Sequence, residues 1–221
     1  MIVSEVDGSI DPHKVVFCDF DGTLTNFVII DHLYETFAEC GLQYAERWER
    51  GEISTMEEME STFATVTASR EEMERELAKV DLVPGVSEFI SMCQKRGYSF
   101  AIVSDGLQWY IEYILRQHGI TGLRIIASQI HFEPGAFRFS YPWYDPEIPL
   151  RSTSKPTIIR RYQERGSKVA FVGDGTSDFE VVGVADLIYA RRKLAEYCLS
   201  KGVPAIEFTD FFDLLTKWQA F

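Results

Sequence analysis

The chain reads as an α/β protein, a doubly wound parallel sheet with a helical cap inserted after its first strand. Three observations predict this. Short apolar runs rich in Val, Ile, Phe and Ala recur without polar alternation, as strands buried on both faces do. Helical patterns closed by glycine separate most of them. One acidic stretch with helical signals alone interrupts the alternation directly after the first run.

The first strand is Val15-Val16-Phe17-Cys18, and it runs straight into Asp19. Residues 29–80 then carry only helical signals: apolar spacing at Leu33, Phe37 and Cys40, and capping boxes expected at Thr55 with Glu58 and at Ser69 with Glu72. Between Phe27 and Val83 lie 14 acidic and 5 basic residues, a net of −9 within the chain's −12. Acidity so concentrated suggests a separate solvated unit. The expected division is an α/β core of residues 1–26 and 84–221 and a helical cap of residues 27–83. The position of that cap, beyond the carboxyl end of the first strand, suggests a lid.

A helix over 86–96, closed by Gly97, leads to the second strand at 100–103, and one over 109–118, closed by Gly119, leads to the third at 125–127. Gln129 to Glu133 and Phe137 to Ser140 flank Pro134-Gly135-Ala136 as a β-hairpin, followed by a proline- and aromatic-rich loop to Ser154. A helix over 156–165, closed by Gly166, precedes the fourth strand at 169–172; the fifth is 187–190.

Composition removes several function classes. With 221 residues, 46% of them hydrophobic, the chain can bury a sizeable core. No apolar stretch approaches the ~18 residues that span a bilayer, and Met1 to Asp7 lack the regions of a signal peptide, so a cytoplasmic protein with no membrane partner is expected. A net charge of −12 argues against nucleic acid, whose phosphates need clustered Lys and Arg. Cys18, Cys40, Cys93 and Cys198 form no Cys-x-x-Cys pair and read as reduced, mostly buried thiols. His13, His32, His118 and His131 stand at no metal-ligand spacing and receive no function.

The residues at the carboxyl ends of the strands carry the chemistry. The first strand ends in Asp19 and Asp21, the second in Ser104, and the fourth in Gly173-Asp174-Gly175-Thr176-Ser177-Asp178. In open parallel sheets ligands bind beyond the carboxyl ends of the strands, so these groups share one crevice. Asp19 and Asp21, two apart, point to one side if strand geometry persists, while Gly22 allows a sharp turn. One carboxylate can attack phosphorus while the other, protonated, supplies the leaving oxygen with its proton and later takes one from water.

A phosphate dianion 4 Å from these carboxylates is repelled by ~4 kcal/mol per charge pair at an effective dielectric near 20. Cations are therefore required. Asp174 and Asp178, one helical turn apart, offer oxygen ligands of the kind that suit Mg²⁺, and Lys155 offers a fixed charge for the phosphate. Ser104, opening a Ser-Asp-Gly turn with Asp105 and Gly106, offers a hydroxyl and backbone N–H groups as phosphate-binding donors. A calcium loop is excluded, because the EF-hand pattern wants glycine and glutamate where Leu24 and Ile30 stand. Gly-Asp-Gly alone is a tight turn, and a lone lysine sits at the surface. In this order, each after a buried strand or before a helix, the residues form a constellation.

That constellation resembles the haloacid dehalogenase superfamily: Asp19-Phe20-Asp21-Gly22-Thr23 its first motif, Ser104 its second, Lys155 its third, and 173–178 its fourth. The resemblance covers residues 13–26 and 84–221. It implies the superfamily's Rossmann-like core, an aspartyl-phosphate at Asp19 and Asp21 as general acid/base. It further implies Mg²⁺ held by Asp19, the backbone carbonyl of Asp21 and Asp174, with Asp178 as an additional ligand or a support behind them.

The helical insertion and the Gly-Asp-Gly form are similar to the phosphoserine phosphatase-like branch. That branch carries a glutamate soon after the first motif for the substrate's amino group, where this chain has Phe27-Val28-Ile29-Ile30. Ser154-Lys155-Pro156-Thr157-Ile158-Ile159 and Asp186-Leu187-Ile188-Tyr189-Ala190-Arg191 resemble instead the 2-hydroxy-3-keto-5-methylthiopentenyl-1-phosphate phosphatases of methionine salvage.

Three functions fit these residues. The first is a Mg²⁺-dependent phosphatase of a small phosphorylated metabolite. The others are a phosphotransferase or mutase with the same aspartyl-phosphate, and a catalytically idle binding module on the same fold.

Overall fold

The computed structural model describes residues 13–221. Its sheet has seven strands in the order β4-β3-β2-β1-β5-β6-β7. They are β1 (Lys14–Cys18), β2 (Ser99–Leu107), β3 (Arg124–Glu133), β4 (Ala136–Ser140), β5 (Lys168–Gly173), β6 (Leu187–Ala190) and β7 (Ile206–Glu207). All pairings are parallel except β3 with β4. The chain leaves the central β1 to build one side of the sheet and later returns to pair β5 on the other. A ligand crevice opens where the winding reverses, beyond the carboxyl ends of β1 and β5.

Alternation along each strand divides the core between two faces. Val16, Cys18, Ile102, Ala170 and Val172 pack with α5 (Val86–Lys95), α6 (Gln108–Gln117) and α9 (Phe211–Lys217). Val15, Phe17, Val103, Val169 and Phe171 face α7 (Lys155–Gln163) and α8 (Arg192–Lys201). Phe17, fully buried, meets the Tyr162 ring edge-on at 5.1 Å; burying such a side chain stabilises by ~1.5–3 kcal/mol.

Helices α1 (Ile29–Phe37), α2 (Gln43–Glu49), α3 (Thr55–Phe63) and α4 (Arg70–Leu77) fill the acidic segment. Their apolar side, with Leu33, Met59, Phe63 and Leu77, is continuous with the first of the two core clusters. Ser69 and Glu72 form the expected capping box. At α3 the cap lies one residue earlier than expected: Ser54 accepts from Glu57 N–H, so Thr55 begins the helix and Glu58 is turned inward and buried. A serine directly before a threonine offers two capping hydroxyls, and tertiary contacts decide between them. Thr55 is engaged by Trp48 Nε1 and by the Leu150 carbonyl.

Two strands run further than expected. β2 continues through Ser104-Asp105-Gly106 to Leu107, with its pairing register shifted between Val103 and Leu107, where the sequence suggests a turn. β3 unites the third strand with the first arm of the hairpin, and Glu133 opposite Ala136 leaves Pro134 and Gly135 as the two turn residues. Proline followed by a glycine at φ 72° meets the needs of a type II turn. The hairpin buttresses the helical segment, because Phe63 of α3 meets Phe137 and Phe139 edge-on at 5.2 and 5.3 Å. Among the described residues no helix is long and apolar enough to cross a membrane.

Candidate active site

Asp19 follows β1, anchored by its N–H to the Val172 carbonyl at 2.9 Å, and its side chain is buried. Lys155, the first residue of α7, reaches in from the neighbouring layer. Its Nζ donates to Asp19 Oδ1 at 2.9 Å, to Asp178 Oδ1 at 2.5 Å and to Ser177 Oγ at 3.3 Å, at 1% exposure. Burial pulls the lysine's pKa down, but the charges of Asp178 and Asp19 outweigh it and hold the ammonium above its ordinary value. The ammonium is therefore permanently charged.

Asp178 sits in a short 3-10 helix, Thr176–Val181, and supports the loop before it. Its Oδ1 holds Lys155, while its Oδ2 accepts from Asp174 N–H at 2.9 Å and Gly175 N–H at 3.2 Å. A Cβ on Gly173 would collide with that same oxygen, which accounts for the first glycine of the loop. Asp174 accepts from Thr23 Oγ1 at 2.8 Å and meets Arg192 NH1 at 3.3 Å.

Carboxylate oxygens of Asp19, Asp174 and Asp178 lie within 4.8 Å of one another, all three residues buried. Burial, and then the Asp178 charge, raise the Asp174 pKa; Asp19 is raised by burial against the pull of Lys155. Hard oxygen donors with excess negative charge in a buried cluster fit a divalent cation such as Mg²⁺.

Asp21 is held from two directions. Its Oδ1 accepts from Ile29 N–H at 2.7 Å, where α1 begins, and its Oδ2 accepts from the Tyr110 hydroxyl at 2.5 Å. Burial lifts its pKa to about 6, with these two hydrogen bonds opposing the rise. Such a carboxyl exchanges its proton near neutral pH, as an acid/base group must.

Ser104 is buried and accepts from Gly106 N–H at 3.0 Å, so its own hydroxyl proton remains for a ligand. The Asp105 carboxylate is turned to the loop before α7, where Oδ1 accepts from Ser152 Oγ at 3.1 Å and Thr153 N–H at 2.9 Å. Its link to the crevice is its backbone.

Asp19, Asp21, Ser104, Asp105, Gly106 and Asp174 border one cavity of about 400 Å³, and Lys155 stands behind Asp19 with Asp178 on its Nζ. The opposite wall comes from α1, α2 and α3. It is apolar at Val28, Ile30, Leu42, Trp48 and Met59. The wall also carries carboxyls that sequence reasoning missed. Burial raises Asp31 to about 7, and burial together with the Asp31 charge raises Glu58 to about 8. Arg192, whose φ of 49° marks a constrained residue, was missed too. Its guanidinium donates to the carbonyls of Gly22 at 3.0 Å and Asn26 at 2.9 Å.

The haloacid dehalogenase-like hydrolase family matches residues 16–182, a span that includes every one of the motif residues above. The chain belongs to this family. Among curated proteins, this haloacid dehalogenase-like hydrolase is 28% identical over 204 residues to a 2-hydroxy-3-keto-5-methylthiopentenyl-1-phosphate phosphatase of an Exiguobacterium species, covering 90% of this chain and 94% of the relative. It is 29% identical to the phosphatase of the same description from Geobacillus kaustophilus, covering 93% and 95%. Among solved structures it is similar to a phosphoserine phosphatase described as a phospho-aspartyl intermediate analogue, with TM-score 0.69 and 20% identity over 94% of this chain and 99% of that one. That likeness shows the fold. The relatives matched along nine-tenths of this haloacid dehalogenase-like hydrolase are phosphatases.

Proposed function

We propose that this hydrolase releases phosphate from a small phosphorylated metabolite through an aspartyl-phosphate on Asp19. The buried contact of Lys155 Nζ with Asp19 Oδ1 at 2.9 Å carries the reading, because it holds the carboxylate rigid at the mouth of β1 with a permanent cation beside it. In the first step Asp19 Oδ attacks phosphorus, the bond to the leaving oxygen breaks, and Asp21 gives that oxygen its proton. In the second, Asp21 takes a proton from water as the water oxygen attacks phosphorus, returning Asp19 as a carboxylate. Ser104 Oγ–H and the backbone of Asp105 and Gly106 orient the phosphoryl oxygens, and Lys155 offsets their charge.

Asp19, the Asp21 carbonyl and Asp174 would hold Mg²⁺, with Asp178 behind them bracing the loop. The ion supplies charge neutralisation for the phosphoryl group. Residues 27–83 act as the cap over a core of residues 1–26 and 84–221, of which residues 1–12 lie outside the described residues, and enclosure of the cavity excludes bulk water from the acyl phosphate. Four free thiols, three of them buried, suit the reducing cytoplasm.

For the leaving group we favour the substrate class named for the curated relatives, a methylthio-bearing keto sugar-like phosphate. Val28, Ile30, Trp48 and Met59 give an apolar tail a surface to bury against. A panel of phosphorylated metabolites with Mg²⁺ or chelator tests this. Mg²⁺-dependent release from 2-hydroxy-3-keto-5-methylthiopentenyl 1-phosphate, well above that from phosphoserine, is expected; preference for phosphoserine overturns the substrate, and release unaffected by chelator overturns the mechanism.

A further inference from the structure

Asp21 faces the cavity, but the group that fixes it comes from an element with no motif. Tyr110 lies in the first turn of α6 and is fully buried. Its hydroxyl donates to Asp21 Oδ2 at 2.5 Å, and its ring packs on Phe20, the residue between the two aspartates, at 6.2 Å between centroids. The same hydroxyl rests against Gly106: a Cβ there would overlap the Tyr110 oxygen and stand 2.7 Å from Asp21 Oδ2. One phenol thus touches both the acid/base carboxyl and the strand end beside the phosphoryl group. Burial and the Asp21 charge raise the phenol's pKa well above its ordinary value, so it remains a donor.

We propose that Tyr110 is a positioning residue for the acid/base step, holding Asp21 at a fixed distance from the Ser104–Gly106 segment so that its proton meets the leaving oxygen. The inference rests on the phosphatase reading and extends it. When the Asp19 Oδ–phosphorus bond forms and the ester bond breaks, the Asp21 proton passes to the departing alkoxide. A misplaced Asp21 slows that transfer only where the leaving group needs a proton. An alkoxide needs one, and p-nitrophenolate leaves without.

Tyr110→Phe keeps the ring and removes the hydroxyl. For a simple alkyl phosphate the variant should lose about 10- to 100-fold in kcat/KM, within the range that positioned proton transfer contributes. For p-nitrophenyl phosphate, kcat/KM should stay within about twofold. In an Asp21→Asn background the same change should add no further loss. Equal losses on both esters, or a full additional loss in that background, would overturn the proposal, since a purely structural tyrosine gives both. Thermal melts confirm that the variants are folded. A proton resonance downfield of the amide envelope, present in the wild type and absent from Tyr110→Phe, reports the hydrogen bond without turnover, and its absence from the wild type overturns the positioning. Wild-type enzyme that releases phosphate from neither ester sinks the phosphatase reading instead, and the resonance then decides the Tyr110 contact by itself.

Discussion

Lys155 and Asp19 form an ion pair inside the protein, Nζ to Oδ1 at 2.9 Å, with side chains 1% and 5% exposed. The pair joins the start of α7 to the end of β1. It also ties catalysis to stability, because losing Lys155 would leave both Asp19 and Asp178 buried without their cation.

Replacing the lysine tests that coupling. Lys155→Met leaves Asp19 and Asp178 buried without their cation, and breaking buried pairs in this way costs about 3–5 kcal/mol. Urea denaturation should show a loss of that size, with phosphate release abolished in the fraction that remains folded. A stable variant would contradict the assigned charge balance.

Gly22→Ala is expected to strike the buried carboxylate cluster through the backbone. Gly22 has φ 76°, and a Cβ there would stand 2.5 Å from Asp174 Oδ2. The positive φ costs ~1 kcal/mol for a residue with a side chain. The contact adds to that by pushing Asp174 off its Thr23 hydrogen bond. A lower melting temperature and weaker Mg²⁺ binding by calorimetry should appear together.

Mg²⁺ itself should stabilise the fold. A cation that binds the folded state alone adds ~2.7 kcal/mol at 100 times its Kd. Titration of Mg²⁺ should raise the melting temperature of the wild type and leave Asp174→Asn unmoved.

Glu58 predicts how stability depends on pH. Its folded pKa, about 8, lies above the ordinary 4.5, so the folded state keeps a proton the unfolded chain has released. Its contribution is complete below about pH 4.5 and is lost as pH rises through about 8, at up to about 1.4 kcal/mol per pH unit. Between pH 5 and 8 the melting temperature of the wild type should fall more steeply than that of Glu58→Gln. Parallel curves would mean that Glu58 is not held neutral.

The motif residues were legible in the sequence because each lies just past a strand or opens a helix whose period is local. Asp19, Ser104 and Asp174 meet because parallel strands deliver their ends to one side, and Lys155 joins them from the start of α7. Tyr110 was not legible: it touches a residue 89 positions away, and only the packing of α6 over the end of β1 brings them together. Glu58 looked like half of a capping box, and its burial against α1 emerges once the helices are packed. Arg192 gave no local signal either, because two of its partners are backbone carbonyls more than 160 residues earlier. The short β7 and the helix α9 were also missed, since a two-residue strand carries no period at all.

The central claim is a covalent bond between phosphorus and Asp19. Acid-quenching the enzyme during Mg²⁺-dependent turnover of p-nitrophenyl phosphate, with peptide mass spectrometry of the quenched protein, tests it most directly. A phosphoryl group on the peptide containing Asp19, removed by hydroxylamine and absent from Asp19→Asn, is the predicted result. Steady turnover with the phosphoryl group on another residue, or undiminished turnover by Asp19→Asn, would contradict it.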